Sequence, residues 1–226
     1  MFINTTYLIF MLPALILSLI CQFMVKTTYA KYDKVGNSRR MTGAEAAQRV
    51  LKSGGVFDVS IDKIGGTLTD HFDPGSKAIN LSAAVHDKST ISSVGIAAHE
   101  AGHAIQHDVG YAPIKLRTAL VPVCNIGSQI GPWLIIIGLI LGIGQLYYVG
   151  LIGFSAVALF QIVTLPVEFN ASRRAMEALE STGVLSDDEL KGARRVLTAA
   201  AMTYVAALVT SIMQILYYVS LSKKRR

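Results

Sequence analysis

His99-Glu100-Ala101-Gly102-His103 sets two imidazoles four residues apart, with a carboxylate next to the first. The surrounding stretch, 91–109, reads as helix. Helical positions four apart share a face and lie about 6 Å apart along the axis. Both imidazoles can therefore grip one metal ion, and Glu100 can reach a water bound to that ion. Two His on zinc, with a Glu as general base, is the chemistry this spacing serves. All five histidines fall between His71 and His107, and Ala97, Ala98, Ala101, Gly102 and Ala104 flank the motif. Small residues let other backbone approach closely, as a buried metal helix requires. They would equally suit a helix that merely packs, and the zinc reading is taken over that one.

This is the zincin arrangement, and it needs a third protein ligand, with a fourth position left for water. His107 does not supply it from a continuous helix. It stands eight residues from His99, about 12 Å along the axis, whereas Zn–N bonds are about 2.0–2.1 Å. A His six residues past His103 would meet the metzincin spacing, but that position is Val109. His107 is read as supporting or structural. Glu168 is the better candidate, because a two-His, one-carboxylate site takes its acid from a later helix. Apart from Asp108, it is the first acid after the motif. His71 is read as structural, with oxyanion stabilisation as the competing role.

The elements that must position these groups are mostly apolar. Of 226 residues, 52% are hydrophobic and 16% charged, against about 25% charged in an average soluble domain. Four uncharged runs, 7–25, 118–141, 145–167 and 197–222, are each roughly 19 to 26 residues, long enough to cross about 30 Å of hydrocarbon. Cys21 and Cys124 lie inside these runs and read as packed thiols. The net charge of +6 flanks the runs and is not a nucleic-acid footprint. Segment 26–117 carries 12 Lys and Arg and loop 169–196 carries 5, against 4 in the tail. The positive-inside rule then places the catalytic segment in the cytoplasm, although the basic tail opposes it.

Within 26–117, Thr42-Gly43-Ala44-Glu45 is a capping box and Gly54-Gly55 closes the helix it opens. Phe57, Val59 and Ile61 alternate as a strand. Residues 67–72 and 77–81 favour extended chain joined through Asp73-Pro74-Gly75-Ser76. Residues 77–81 are the expected free sheet edge, where an extended peptide could pair. Ser89 or Thr90 caps the motif helix and Gly110 stops it.

HEAGHAIQH followed by GYAP, the upstream LTDHFDP and the later LPVEFNASRRA together resemble the YugP-type membrane zinc metallopeptidases, from about Leu68 to Ala175. The Glu168-x-x-Ala171-Ser172 segment is also similar to the Glu-x-x-Ala-Asp segment of HtpX-like gluzincins, whose Glu is a zinc ligand. That resemblance implies Glu168 as ligand, with Ser172 standing where those relatives carry Asp.

The expected fold is a mainly α membrane protein with about four transmembrane helices. A small α+β zincin-like catalytic domain is expected between the first and second of them. The segments are 1–25, a transmembrane helix; 26–117, the catalytic domain; 118–167, a transmembrane hairpin; 168–196, a helical segment carrying the third ligand; and 197–226, a fourth transmembrane helix with a basic tail. The expected activity is zinc-dependent endopeptidase hydrolysis at a multi-pass site in the cell membrane. Zn²⁺ sits on His99, His103 and Glu168, and Glu100 is general base on the zinc-bound water. Partners are a protein or peptide substrate, membrane proteins among them, and the lipid bilayer. Two other classes compete. A zinc-binding scaffold or chaperone-like protein would want four ligands, commonly with Cys, and none lies near the motif. A metal transporter would place its His inside the apolar runs.

Overall fold

The computed structural model describes residues 5–223; residues 1–4 and the end of the basic tail, 224–226, lie outside the described residues. In chain order the elements are α1 (Thr5–Tyr32), α2 (Gly43–Ser53), β1 (Ser60–Ile64), β2 (His71–Asp73), β3 (Ala78–Ser82), α3 (Ala83–Asp87), α4 (Ile91–Asp108), α5 (Ala112–Leu141), α6 (Gly144–Ser181) and α7 (Asp187–Lys223). Helices α1, α5, α6 and α7 are each long and apolar enough to cross a membrane. The chain is therefore mainly helical, with one small sheet of order β1-β3-β2.

Two compact units divide it. One comprises Phe23–Tyr111 and Val167–Ala201. Its core gathers Val50, Leu51, Ile79, Leu81, Val85, Val94, Leu179 and Val184. Helix α2 buries Ala46, Ala47, Val50 and Leu51 on one face. The Thr42–Glu45 capping box forms: the Thr42 hydroxyl accepts from Glu45 N at 3.2 Å, and Glu45 Oε2 accepts from Thr42 N at 2.8 Å. Thr90 caps α4, accepting from Ser93 N at 3.2 Å, and Gly110, with φ of 64°, ends it. β1 runs parallel to β3, and β2 antiparallel to it.

The second unit comprises residues up to Gln22, Ala112–Pro166, and the chain from Met202. There α5 and α6 approach so closely that a Cβ on Gly127 would stand 2.1 Å from Gly153 O. Such contacts are how apolar helices associate where lipid removes the hydrophobic driving force. Ile135, Tyr147, Phe154 and Tyr218 form its buried cluster, and the Tyr147 hydroxyl donates to Tyr218 O at 2.6 Å.

Several expectations are corrected. The catalytic unit is not a domain simply inserted between the first two apolar helices. Its sheet follows α2, and Val167–Ala201 completes it. Helix α6 runs unbroken through Glu168 to Ser181, so the carboxylate rides on the continuation of an apolar helix. The strand expected from Phe57 begins only at Ser60, and Phe57 is exposed. Residues 77–81 are not the free edge either: β3 is the middle strand, and β2 and β1 are the outer ones.

Candidate metal centre

Helix α4 brings His99, Glu100 and His103 to one region of its surface, and the Val167–Ser181 part of α6 lies alongside. The approach is set by Gly102. A Cβ there would stand 2.5 Å from Ala171 O, one turn beyond Glu168. Only hydrogen at position 102 lets α6 come close enough to deliver its carboxylate. At Gly95, two turns earlier, a Cβ would stand 3.4 Å from the Cβ of Ala193, ordinary contact. The small residues around the motif thus serve close helix packing, as their composition predicts.

The donors converge. Nε2 of His99 lies 3.3 Å from Glu168 Oε2, and Nε2 of His103 lies 3.6 Å from it. One ligand atom from each residue falls within 4.8 Å of the others. A tetrahedral ion with bonds of about 2.0–2.1 Å has ligand–ligand edges of roughly 3.4 Å. The two edges to Glu168 fit that figure, so the donor set suits a zinc-sized ion. The Glu168 side chain is 3% exposed. Two buried carboxylates, Glu100 and Glu168, beside two imidazoles also call for a compensating cation. Burial alone would lower the pKa of His103, but Glu168, followed by Glu100, outweighs it and raises the imidazole above its ordinary range.

Both rings are held from behind. The Ser172 hydroxyl lies 3.1 Å from Nδ1 of His99. Oε1 of the fully buried Gln106 lies 3.0 Å from Nδ1 of His103. Gln106 Nε2 donates to Val167 O at 2.7 Å and to Asn170 Oδ1 at 3.0 Å. A carbonyl can only accept, so the amide orientation is fixed and Oε1 faces the ring. Nδ1 must then carry the proton of a neutral His103, so it is Nε2, turned toward Glu168, that can shed its proton and offer a lone pair to a metal. Arg174 Nε donates to Asn170 Oδ1 at 2.8 Å, extending the chain of bonds.

Glu100 is anchored differently. Phe72 N donates to its Oε2 at 3.0 Å. That N–H points out of the sheet, so the outer edge of β2 faces this carboxylate. His107 touches Phe72 ring edge to ring face, with centroids 5.9 Å apart, and is not among the converging donors. His71 bonds to Thr69 O at 2.8 Å on an exposed edge. Gln106, Asn170 and Phe72 escaped the sequence reading. The signal for Gln106 was its place three residues after His103 on the same face; a lone Phe or Asn carries no such mark.

Comparison with known proteins agrees with this geometry. The chain belongs to the family described as "Putative neutral zinc metallopeptidase", whose model matches residues 7–223. It is similar to "Putative membrane protease YugP" of Bacillus subtilis (strain 168), with 44% identity over 208 residues, 92% of each chain. No solved structure matches it significantly.

Proposed function

We propose that this protein is a membrane-embedded zinc endopeptidase. The observation that carries the reading is the convergence of His99, His103 and Glu168 on one point, with Glu100 beside them. On this reading those three residues would hold zinc, which when bound would supply Lewis-acid polarisation of a peptide carbonyl and a water of pKa about 7. Glu100 takes the proton of the attacking water and passes it to the leaving amine. Its Oε2 is held by Phe72 N, which leaves Oε1 to move the proton. Ser172 and Gln106 keep the two imidazoles turned to the metal. An extended substrate lies along the outer edge of β2, pairing through main-chain groups beside Glu100. Glu168 directly follows the apolar run 145–167 in the chain, which supports membrane proteins and their flanking segments as substrates. The positive-inside count supports a cytoplasmic site.

Casein cleavage and zinc content of purified protein in detergent test this. Glu100→Gln should keep zinc and lose at least about 100-fold in rate, the usual contribution of a general base. Glu168→Ala should lose zinc. Cleavage retained by the first variant, or full zinc in the second, removes that residue from its role.

A further inference from the structure

Beyond the metal site, the same unit carries a cavity of about 570 Å³ where the end of α1 meets the start of α7. Lys31, Lys191, Arg194 and Arg195 line it, and among the described residues none of its lining side chains is acidic. The nearby acids lie outside the cavity: Arg194 also lines a neighbouring pocket with Glu177 and Glu180, and Asp187, Asp188 and Glu189 open α7. Lys191 bonds to Asp188 at 2.8 Å on the exposed side, and Arg195 donates to the Tyr32 hydroxyl at 3.3 Å. Lys31, Arg194 and Arg195 still bring like charge to one cavity, and an anion entering it would relieve their repulsion. Thr28 and Thr198 add hydroxyl donors, while Met24 and Ala199 make one wall apolar. Several donors around a compact volume suit a phosphate, which arginine binds through its fork and lysine as a point charge.

We propose that this cavity binds the phosphate of an anionic phospholipid. The source follows from where the cations fall in the chain. Lys31 stands six residues past the uncharged run 7–25, about 9 Å along a helix, and Arg195 two residues before the run 197–222, about 3 Å. The headgroup layer beyond the hydrocarbon is roughly 5–8 Å deep on each side. If the two runs span the bilayer, Arg195 stands at headgroup depth and Lys31 just beyond it, where basic pockets between helices take up acidic lipids. Phe23 and Met24, 68% and 40% exposed, offer apolar contact for an acyl chain beside the pocket. The proposal rests on α1 and α7 crossing the membrane and does not depend on proteolysis.

Native mass spectrometry of the full, zinc-loaded chain in detergent, titrated with phosphatidylglycerol or phosphatidylcholine, tests it. Wild type should retain phosphatidylglycerol at least about tenfold more tightly. Lys31→Gln with Arg194→Gln should lose most of that preference, since each cation near a membrane surface contributes about fivefold. Lys31→Arg with Arg194→Lys should keep it. The proposal is overturned if the two lipids bind alike. It is overturned also if Arg49→Gln with Lys52→Gln, exposed cations on α2, causes an equal loss, because diffuse charge then suffices. Displacement of phosphatidylglycerol by millimolar inorganic phosphate would assign the pocket to soluble phosphate instead. Flotation with phosphatidylcholine vesicles reads membrane insertion separately, and casein cleavage by the Gln variants reads the protease reading separately.

Discussion

Gln106 fixes which nitrogen of His103 carries the proton, and it does so with bonds that reach Val167 and Asn170 on α6. Gln106→Leu keeps similar volume but leaves Nδ1 without a partner. Zinc affinity should fall roughly 10- to 100-fold, the usual effect of removing such a support, while the far-ultraviolet circular dichroism stays unchanged. Competition with a chromophoric chelator checks this, and unaltered affinity would remove the tautomer argument. Ser172→Asp should act the other way, because a carboxylate behind His99 raises its basicity. The same titration should show tighter zinc. At this scale the two histidines and Glu100 were legible because ligands four apart on a helix leave a local pattern. Glu168 was reachable through the chemistry of a three-ligand site and through the resemblance of its segment to that of the gluzincins. Asn170 and Phe72 could not be found, since their roles exist only once α6 and β2 are set against α4.

Helix α4 depends on hydrogen at position 102, where α6 backbone touches it, and less so at position 95. Gly102→Ala puts a Cβ 2.5 Å from Ala171 O and forces the helices apart. It should cost about 1–3 kcal/mol, as overpacking typically does, and lower zinc stoichiometry. Gly95→Ala meets only the Cβ of Ala193 at 3.4 Å. It should be tolerated, with a gain of up to about 1 kcal/mol from helix propensity. Thermal melts of the two variants side by side separate the effects; equal behaviour would deny Gly102 its spacing role. Caps and glycine stops were readable because each acts within a turn of its own residue. Strand order was not. Ile79 and Leu81 show that β3 has a buried face, but nothing local tells a middle strand from an outer one. The start of β1 was misplaced for a related reason: Phe57 has strand propensity, yet it stands exposed before the strand begins.

For the whole molecule, zinc binding on the proposed reading would be linked to folding. An excess of about a thousandfold over the dissociation constant stabilises by roughly 4 kcal/mol. Chelation should therefore lower the melting temperature, and added zinc should restore it. pH then acts oppositely on the two forms. In metal-free protein the His103 pKa is raised on folding. Its contribution is complete below the unfolded value of about 6.5 and is lost as pH climbs through the raised value. Zinc must displace that proton, so the loaded form should gain its advantage as pH rises. Melts of both forms at about pH 6 and pH 8 should show the gap widening upward; a constant gap would exclude the linkage. Four membrane-length helices were visible from apolar run length alone. The sharing of residues between the two units was not, because α6 and α7 each pass from one to the other without any break in helix.

Both histidines and the base are synthesised long before Glu168, and the apolar hairpin of α5 and α6 lies between them in the chain. A ribosome that has made the motif helix has therefore made only part of the candidate metal site. The last ligand emerges after the apolar parts of both hairpin segments, on the continuation of the second, α6. On the proposed reading, a nascent or mis-inserted chain carries the hydrolytic motif but cannot be armed. Completion of membrane insertion then acts as the safety catch of a protease made in the compartment that holds its own potential targets.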